Sequence, residues 1–420
     1  ARDFAQWGAY EDAVLVLKQC TKKYPMLYYY AAYYEEKMGE DEEAKKSLEK
    51  AENCDSDYCF PNKLDDIAVL TFAIENGCKK KAPYYLGNLF YDKLQWKKSV
   101  ELWEMSEKAD DTFSIVHRNL ALAYYNKMGD SKAAKRELEK AFSLNRKDAR
   151  IFLELDQLYK KLGYSFKERL AKYDEDPSLA ESRDDLYIEY ITLMNMCGEY
   201  ERAYRCIMGR RFHPWEGGEG KITTQYTISL LEMAKQCLAS EKYEQAEKLL
   251  KKALVYPENL GEGKLEGTKD NHLYYHLGLA LEAQGKHDEA KTCFETATIG
   301  TDEPAGAMYY NDQPADMILY QGLAFEKLGK TREAKSRFYR LIDYGEQHLN
   351  DEGKIEYFAV SLPDFLIFDE DYTKKNRAHC CYLMALGNIG LQNREKAAEF
   401  LKEALEIEPS HMMATLYQKQ

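Results

Sequence analysis

Apolar residues recur every three or four positions along nearly the whole chain, in runs of about a dozen residues separated by short polar breaks that carry glycine. That period is the signature of amphipathic α-helices. The helices fall into pairs. In the second helix of each pair an alanine (Ala13, Ala44, Ala134, Ala203, Ala246, Ala290, Ala334, Ala397) is followed four residues later by a large apolar side chain. Only side chains stacked on one helix face need that pairing. The pattern predicts an all-α protein of about ten to eleven helix hairpins that bury their apolar faces against one another. It has departures. Ser99 stands where alanine is expected before Trp103, Asp156 and Ile191 replace the small residue of the first helix, and residues 60–80 match poorly, where a helix pair is still expected.

The clearest unit reads Tyr274-x2-Leu277-Gly278-x2-Leu281, then Gly285, Ala290-x3-Phe294, Ala297 and Pro304. It resembles a tetratricopeptide repeat. The skeleton recurs at Leu86-Gly87-x2-Phe90, at Leu120-Ala121-x2-Tyr124, and at Gln321-Gly322-x2-Phe325 with Ala334-x3-Phe338. The resemblance implies a right-handed αα-superhelix with a concave and a convex face. It also implies a non-enzymatic scaffold that binds peptides or proteins, without a cofactor.

One α-solenoid is expected over 1–420, with divergent repeats in 1–80, regular ones in 81–205, and repeats with long loops in 206–420. Successive alanine anchors from Ala203 onward lie 43, 44, 44 and 63 residues apart, against 34 between the Leu86 and Leu120 units. The excess falls at the same connection each time, in 208–222, 256–270, 298–316 and 343–378. Loops inserted at one connection of a stacked array share one edge, so the four are expected side by side. Two of them share a Pro-x3-Gly-Glu-Gly-Lys phrase, at 214–221 and 257–264. It is not a nucleotide-binding loop, because Ile222 and Leu265 stand where Ser or Thr is required and no strand precedes it. The glycines are expected to permit tight turns, and Lys221 and Lys264 to pair with carboxylates at the next helix starts.

Long loops in a compact array commonly bind or dock something. The loop-edge candidates are Arg211, His213, Trp215, Glu216, Glu219, Lys221, Asn259, Glu262, Lys264, Tyr309, Tyr310, Asn311, Asp312, Phe358, Asp364 and Asp369. Aromatic faces among carboxylates and amides suit a polyhydroxylated ligand or a partner surface. Equally, the aromatics could pin the loops onto the helices below.

The net charge of −13 argues against nucleic acid and anionic lipid as partners. No run is long and apolar enough to span a membrane, and the ten cysteines read as small buried hydrophobes in a reducing cytoplasm rather than as disulfides. No catalytic or metal site is expected. His272 and His276 have a ligand spacing but lack a third partner, and "HCC" at 379–381 spreads over different helix faces. The tyrosines of 28–34 read as core packing.

Phrases such as "RRFHPWEGGEGK", "YPENLGEGKLEG" and "NRAHCCYLMALG" extend a second resemblance over 80–420, to the repeat-bearing C-terminal half of large, mostly bacterial proteins. Those proteins carry an uncharacterised, sugar-enzyme-like β-rich domain upstream. The resemblance implies that the loop edge docks such a domain, and Ala1, falling in the middle of a first helix, is expected to be a cut edge. An independent peptide-binding module using the concave groove, with Tyr274 and Asn119 facing it, is the alternative. Glycoside chemistry by loop carboxylates is a third reading. At the other end, a capping helix is expected to begin at Ser410.

Overall fold

A computed structural model describes residues 1–215, 217–306, 313–353 and 367–419. Among them are 23 α-helices and no strand. Ten helix hairpins follow one another, within the expected number, and the chain divides into two compact units, Ala1–Leu155 and Asp156–Gln420.

The first unit holds the pairs Arg2–Gln6 with Tyr10–Lys18, Pro25–Lys37 with Asp41–Asn53, Lys81–Asp92 with Trp96–Ala109, and Ser114–Ala123 with Ser131–Leu144. Local chemistry sets the ends. Pro25 takes the first helical position, where its missing N–H costs nothing, and the Asp130 carboxylate accepts from Ala133 N at 2.9 Å. Between the second and third pairs the expected hairpin is a single helix, Leu64–Glu75. Polar ties take the place of the absent partner: buried Asp66 accepts from Tyr30 Oη at 2.6 Å and from the backbone N–H of Asn62 and Lys63 at 2.9 Å each. Tyr29, Tyr30 and Tyr34 are buried, so the tyrosine stripe is core as expected. After Ala123 the helix loosens into a π turn, Tyr124–Met128. From Ala121 to the turn glycine Gly129 there is one residue more than from Gly278 to Gly285, and a π bulge absorbs a one-residue insertion without breaking the helix.

The second unit begins within the helix Ala149–Lys161, pairs it with Phe166–Glu175, and passes the short helix Pro177–Glu181. Hairpins follow at Asp184–Cys197 with Tyr200–Met208, Lys221–Ala239 with Tyr243–Ala253, Asn271–Ala283 with His287–Ala297, Met317–Lys327 with Thr331–His348, and Tyr372–Gly390 with Arg394–Ile407. First helices of successive hairpins pack on one another, which puts them on the inside of the unit's curve. The unit also returns on itself. Lys161 Nζ meets Glu370 Oε1 at 2.6 Å, and Pro409 lies against Gly163.

Small residues of the first helices work as the pattern requires. A Cβ built on Gly87, Gly278 or Gly322 would stand 2.5, 2.5 or 2.2 Å from the ring of Trp103, Phe294 or Phe338, each sixteen positions later. The Asp156 departure has its own solution. Arg169, only 1% exposed, clamps the Asp156 carboxylate with Nε and Nη2 at 2.8 and 2.6 Å. All ten cysteines are unpaired. Most are wholly or half buried, but Cys20 lies exposed beyond its helix, against expectation.

Candidate functional site

The first two long loops lie side by side, locked by their own polar groups. Asn259 is the bolt. Its Nδ2 donates to Ile207 O and Arg210 O at 2.8 and 2.9 Å, while its carbonyl accepts from Phe212 N at 2.8 Å. Gly261, at φ 72°, lets the second loop approach so closely that a Cβ there would stand 2.4 Å from Phe212 O. Gly220 N donates to Glu262 Oε2 at 2.8 Å, and Glu219 folds back to accept from Gly217 N at 2.8 Å. Burial raises the Glu262 pKa and Glu219 adds to the rise, while the Gly220 amide opposes it.

The repeated acidic, glycine-rich phrase therefore closes two loops on each other. Lys264 pairs as expected, with Asp270 at the next helix start, at 2.6 Å. Lys221 sits over the half-buried Trp215 ring at 5.7 Å, and the same ring lies against Gly218. Arg211, His213 and Glu219 are exposed. His213 N donates to Asp184 Oδ2 at 2.8 Å, and Arg210 pairs with the same carboxylate, its guanidinium 4.6 Å from the Tyr187 ring. Asp369 is exposed, next to buried Phe368. Glu216, Tyr309, Tyr310, Asn311, Asp312, Phe358 and Asp364 lie outside the described residues.

The inner face of the second unit is the other candidate surface, and the chain itself occupies it. The C-terminal helix runs Met412–Gln418, capped by His411, whose Nδ1 accepts from Ala414 N at 3.1 Å; it begins later than the Ser410 start expected. Rather than only closing the last hairpin, it crosses the inner face. Leu416 packs with Met196 and Ile228 from two hairpins near the unit's start. Tyr417 and Ala414 join the core of the last two hairpins. Both Leu416 and Tyr417 are buried, and Tyr417 Oη donates to Tyr320 Oη at 2.6 Å. Met412 Sδ lies 3.7 Å from Gln225 Nε2, and Lys419 Nζ donates to Met196 O.

Beneath this helix lies a polar cluster that the sequence did not disclose. Burial pulls the Lys235 ammonium down, but Tyr320 and Glu232, the latter at 2.7 Å, outweigh it. Burial pushes His272 and His276 to about 3, which leaves both rings neutral. His276 Nδ1 donates to His272 O at 2.7 Å, and His272 Nδ1 has no hydrogen-bond partner among the described residues. Burial lifts Asp316 to about 6 despite the Tyr382 hydroxyl at 3.4 Å. The one-turn spacing of His272 and His276 was visible in sequence, but the cluster as a whole stands on four helices and a loop, which no motif joins. In the first unit, Asn119 Nδ2 donates to Asn88 Oδ1 at 3.1 Å, and Arg118 grips Glu154 through two bonds of 2.6 Å.

A tetratricopeptide-repeat family model matches residues 119–148, 272–298 and 378–411, and a second such model matches 316–344. These stretches coincide with four of the hairpins described above. Among solved structures, Naa15/Naa10 bound to HypK-THB is 14% identical at a TM-score of 0.35, over 99% of this chain and 58% of that one. This chain thus spans little more than half of that protein's length. A tetratricopeptide repeat protein from Parabacteroides merdae ATCC 43184 is 18% identical at a TM-score of 0.28, over 67% of this chain and 95% of that one. YrrB, a TPR protein with an unusual peptide-binding site, is 18% identical at a TM-score of 0.22, over 61% of this chain and 100% of that one. Among the described residues, no helix is long and apolar enough to cross a membrane.

Proposed function

We propose that this chain is a non-enzymatic interaction scaffold, and that the inner face of its second unit is a receptor for a short amphipathic helix. One observation carries the reading. The helix Met412–Gln418 lies across that face, burying Ala414, Leu416 and Tyr417 against first helices from both ends of the unit. Helix-in-groove recognition seats the apolar anchors of a helix in an apolar trough with a few placed polar groups. Here Ala414 and Tyr417, three apart, meet the cluster of the last two hairpins, and Leu416, on another side of the helix, meets Met196 and Ile228. Lys235, 6.0 Å from the Tyr417 ring centre, and the Tyr320 hydroxyl are the polar groups. A partner helix with the same anchors competes with the resident one.

The test is a fluorescent peptide of residues 410–420 added to the intact chain and to Leu416→Ala. Truncating a buried leucine costs about 2–5 kcal/mol, so the variant's own helix should release the face far more often. Apparent peptide affinity should then rise at least about tenfold over the wild type. Equal binding to both chains would sink the proposal.

The loop edge is a second surface, supported by the half-buried Trp215 ring beside the exposed Arg211 and His213. It suits the docking of a neighbouring domain, such as the sugar-related β-rich domain implied by resemblance. Trp215→Ala should leave peptide binding to the inner face unchanged.

A further inference from the structure

The first unit contains a cluster that the interaction reading does not use. Glu107 from Trp96–Ala109, His117 from Ser114–Ala123 and Glu137 from Ser131–Leu144 bring one ligand atom each to within 4.8 Å of one another. His117 and Glu137 are buried, at 2% and 4% exposure, while Glu107 is half buried and opens the cluster to solvent. His117 Nδ1 lies 2.8 Å from Glu137 Oε2 and 3.9 Å from Glu107 Oε1. Its other nitrogen, Nε2, stands 2.9 Å from the Asp111 carbonyl. A carbonyl only accepts, so Nε2 carries a hydrogen, and Nδ1, at hydrogen-bond distance from the Glu137 carboxylate, carries a second one that an incoming ion would displace to take the Nδ1 lone pair. Glu137 is held in turn: Arg136 Nε donates to its Oε1 at 2.9 Å, which leaves Oε2 facing the ring.

The geometry points to a site for a divalent first-row transition ion, Zn2+ being the probe of choice, bound by His117 Nδ1, Glu137 Oε2 and Glu107 Oε1. One imidazole and two carboxylates suit such an ion, and a ligating histidine ordinarily donates its second N–H to a backbone carbonyl, as His117 is placed to do. Two carboxylates balance the ion's charge. Zinc holds its ligands at roughly 2.0–2.2 Å, so Glu107 must swing in by about an ångström, which a half-exposed side chain can do. A fourth position faces solvent on the Glu107 side. The π turn Tyr124–Met128 follows the His117 helix directly, and such turns are frequent beside functional sites. The ion would join three consecutive helices.

The experiment uses the intact chain, stripped with chelator and titrated with ZnCl2 by calorimetry, with unfolding temperature followed in parallel. Glu107→Gln is the informative variant, because 3.9 Å is too long for a hydrogen bond and the substitution costs the metal-free fold none. The variant should unfold at or above the wild-type temperature without metal, since burial and the Glu137 charge disfavour the Glu107 carboxylate more than His117 favours it. The wild type should take up one Zn2+ with a rise in unfolding temperature, and Glu107→Gln should lose at least about tenfold in affinity together with that rise. A Co2+-loaded wild type should show a nitrogen and oxygen ligand spectrum without thiolate charge transfer, which separates this site from the exposed Cys20. Absence of stoichiometric uptake, or uptake that Glu107→Gln leaves unchanged, overturns the assignment.

Discussion

Replacing Arg169 with methionine tests how the second unit tolerates a charge in its core. Arg169 is the largest fully buried side chain among the described residues, and it holds Asp156 through two bonds and Glu189 through a third of 2.6 Å. Methionine fills much of the volume but leaves the two carboxylates without the guanidinium between them, with Lys160 still acting on Glu189 alone. Breaking a buried pair from one side costs about 3–5 kcal/mol, and with two acids stranded the upper part of that range applies at pH 7.

The loss should depend on pH, with a definite sign. Burial already raises the Asp156 pKa, and Arg169 is the largest influence holding it down, so its removal raises the pKa further. A group with a raised folded pKa contributes its stability below its unfolded pKa, and that contribution is lost as pH climbs through the folded one. Each pH unit in that window changes the balance by about 1.4 kcal/mol. Between pH 5 and 7 the variant should therefore lose up to about 2.7 kcal/mol more than the wild type does. Urea unfolding followed by far-ultraviolet circular dichroism at both pH values measures this, and Arg169→Met with Asp156→Leu should recover more than half of the loss. A loss under about 1 kcal/mol at pH 7, or one equal at both pH values, would refute the reasoning.

Two further substitutions probe the packing rules. Asn259→Ala removes two side-chain hydrogen bonds, one to the last turn of the helix Tyr200–Met208 and one to the loop after it, so about 1–3 kcal/mol of local stability should go and hydrogen exchange in 208–220 should quicken while 131–144 keeps its rate. Exchange unchanged in 208–220 would mean that the loops hold together without it. Gly322→Val places its Cβ into the Phe338 ring and should lower stability by about 1–3 kcal/mol, with Phe338→Leu on top restoring part of it; a neutral Gly322→Val would contradict the close approach.

Sequence pattern disclosed what repeats and little of what does not. Gly278 with Phe294 and Gly322 with Phe338 were readable because one geometric need recurs at one spacing. The adjacency of the loops at 208–222 and 256–270 followed from their insertion at one connection, though not that Asn259 bolts them together. Asp156 was visible only as an exception, since its partner Arg169 lies on the facing helix of its hairpin and outside any motif. Leu64–Glu75 was over-read as a pair because a lone helix carries the same apolar period as half a hairpin. The C-terminal helix read as an end cap for a related reason. Seven residues with three apolar anchors do not say which hairpins they meet, and contacts such as Leu416 with Met196 span more than two hundred residues of chain. Glu107, His117 and Glu137 share no spacing either, and only stacked helices bring them together.

Peptide binding to a chain ending at Pro409 tests the central claim most directly. Circular dichroism first confirms that the shortened chain keeps its helices, and a peptide of residues 410–420 is then titrated by calorimetry. The account predicts saturable one-to-one binding that Leu416→Asp in the peptide abolishes and Trp215→Ala in the chain leaves intact. A folded, shortened chain that takes up no peptide, or takes up the Leu416→Asp peptide equally well, would show that the inner face is not a helix receptor.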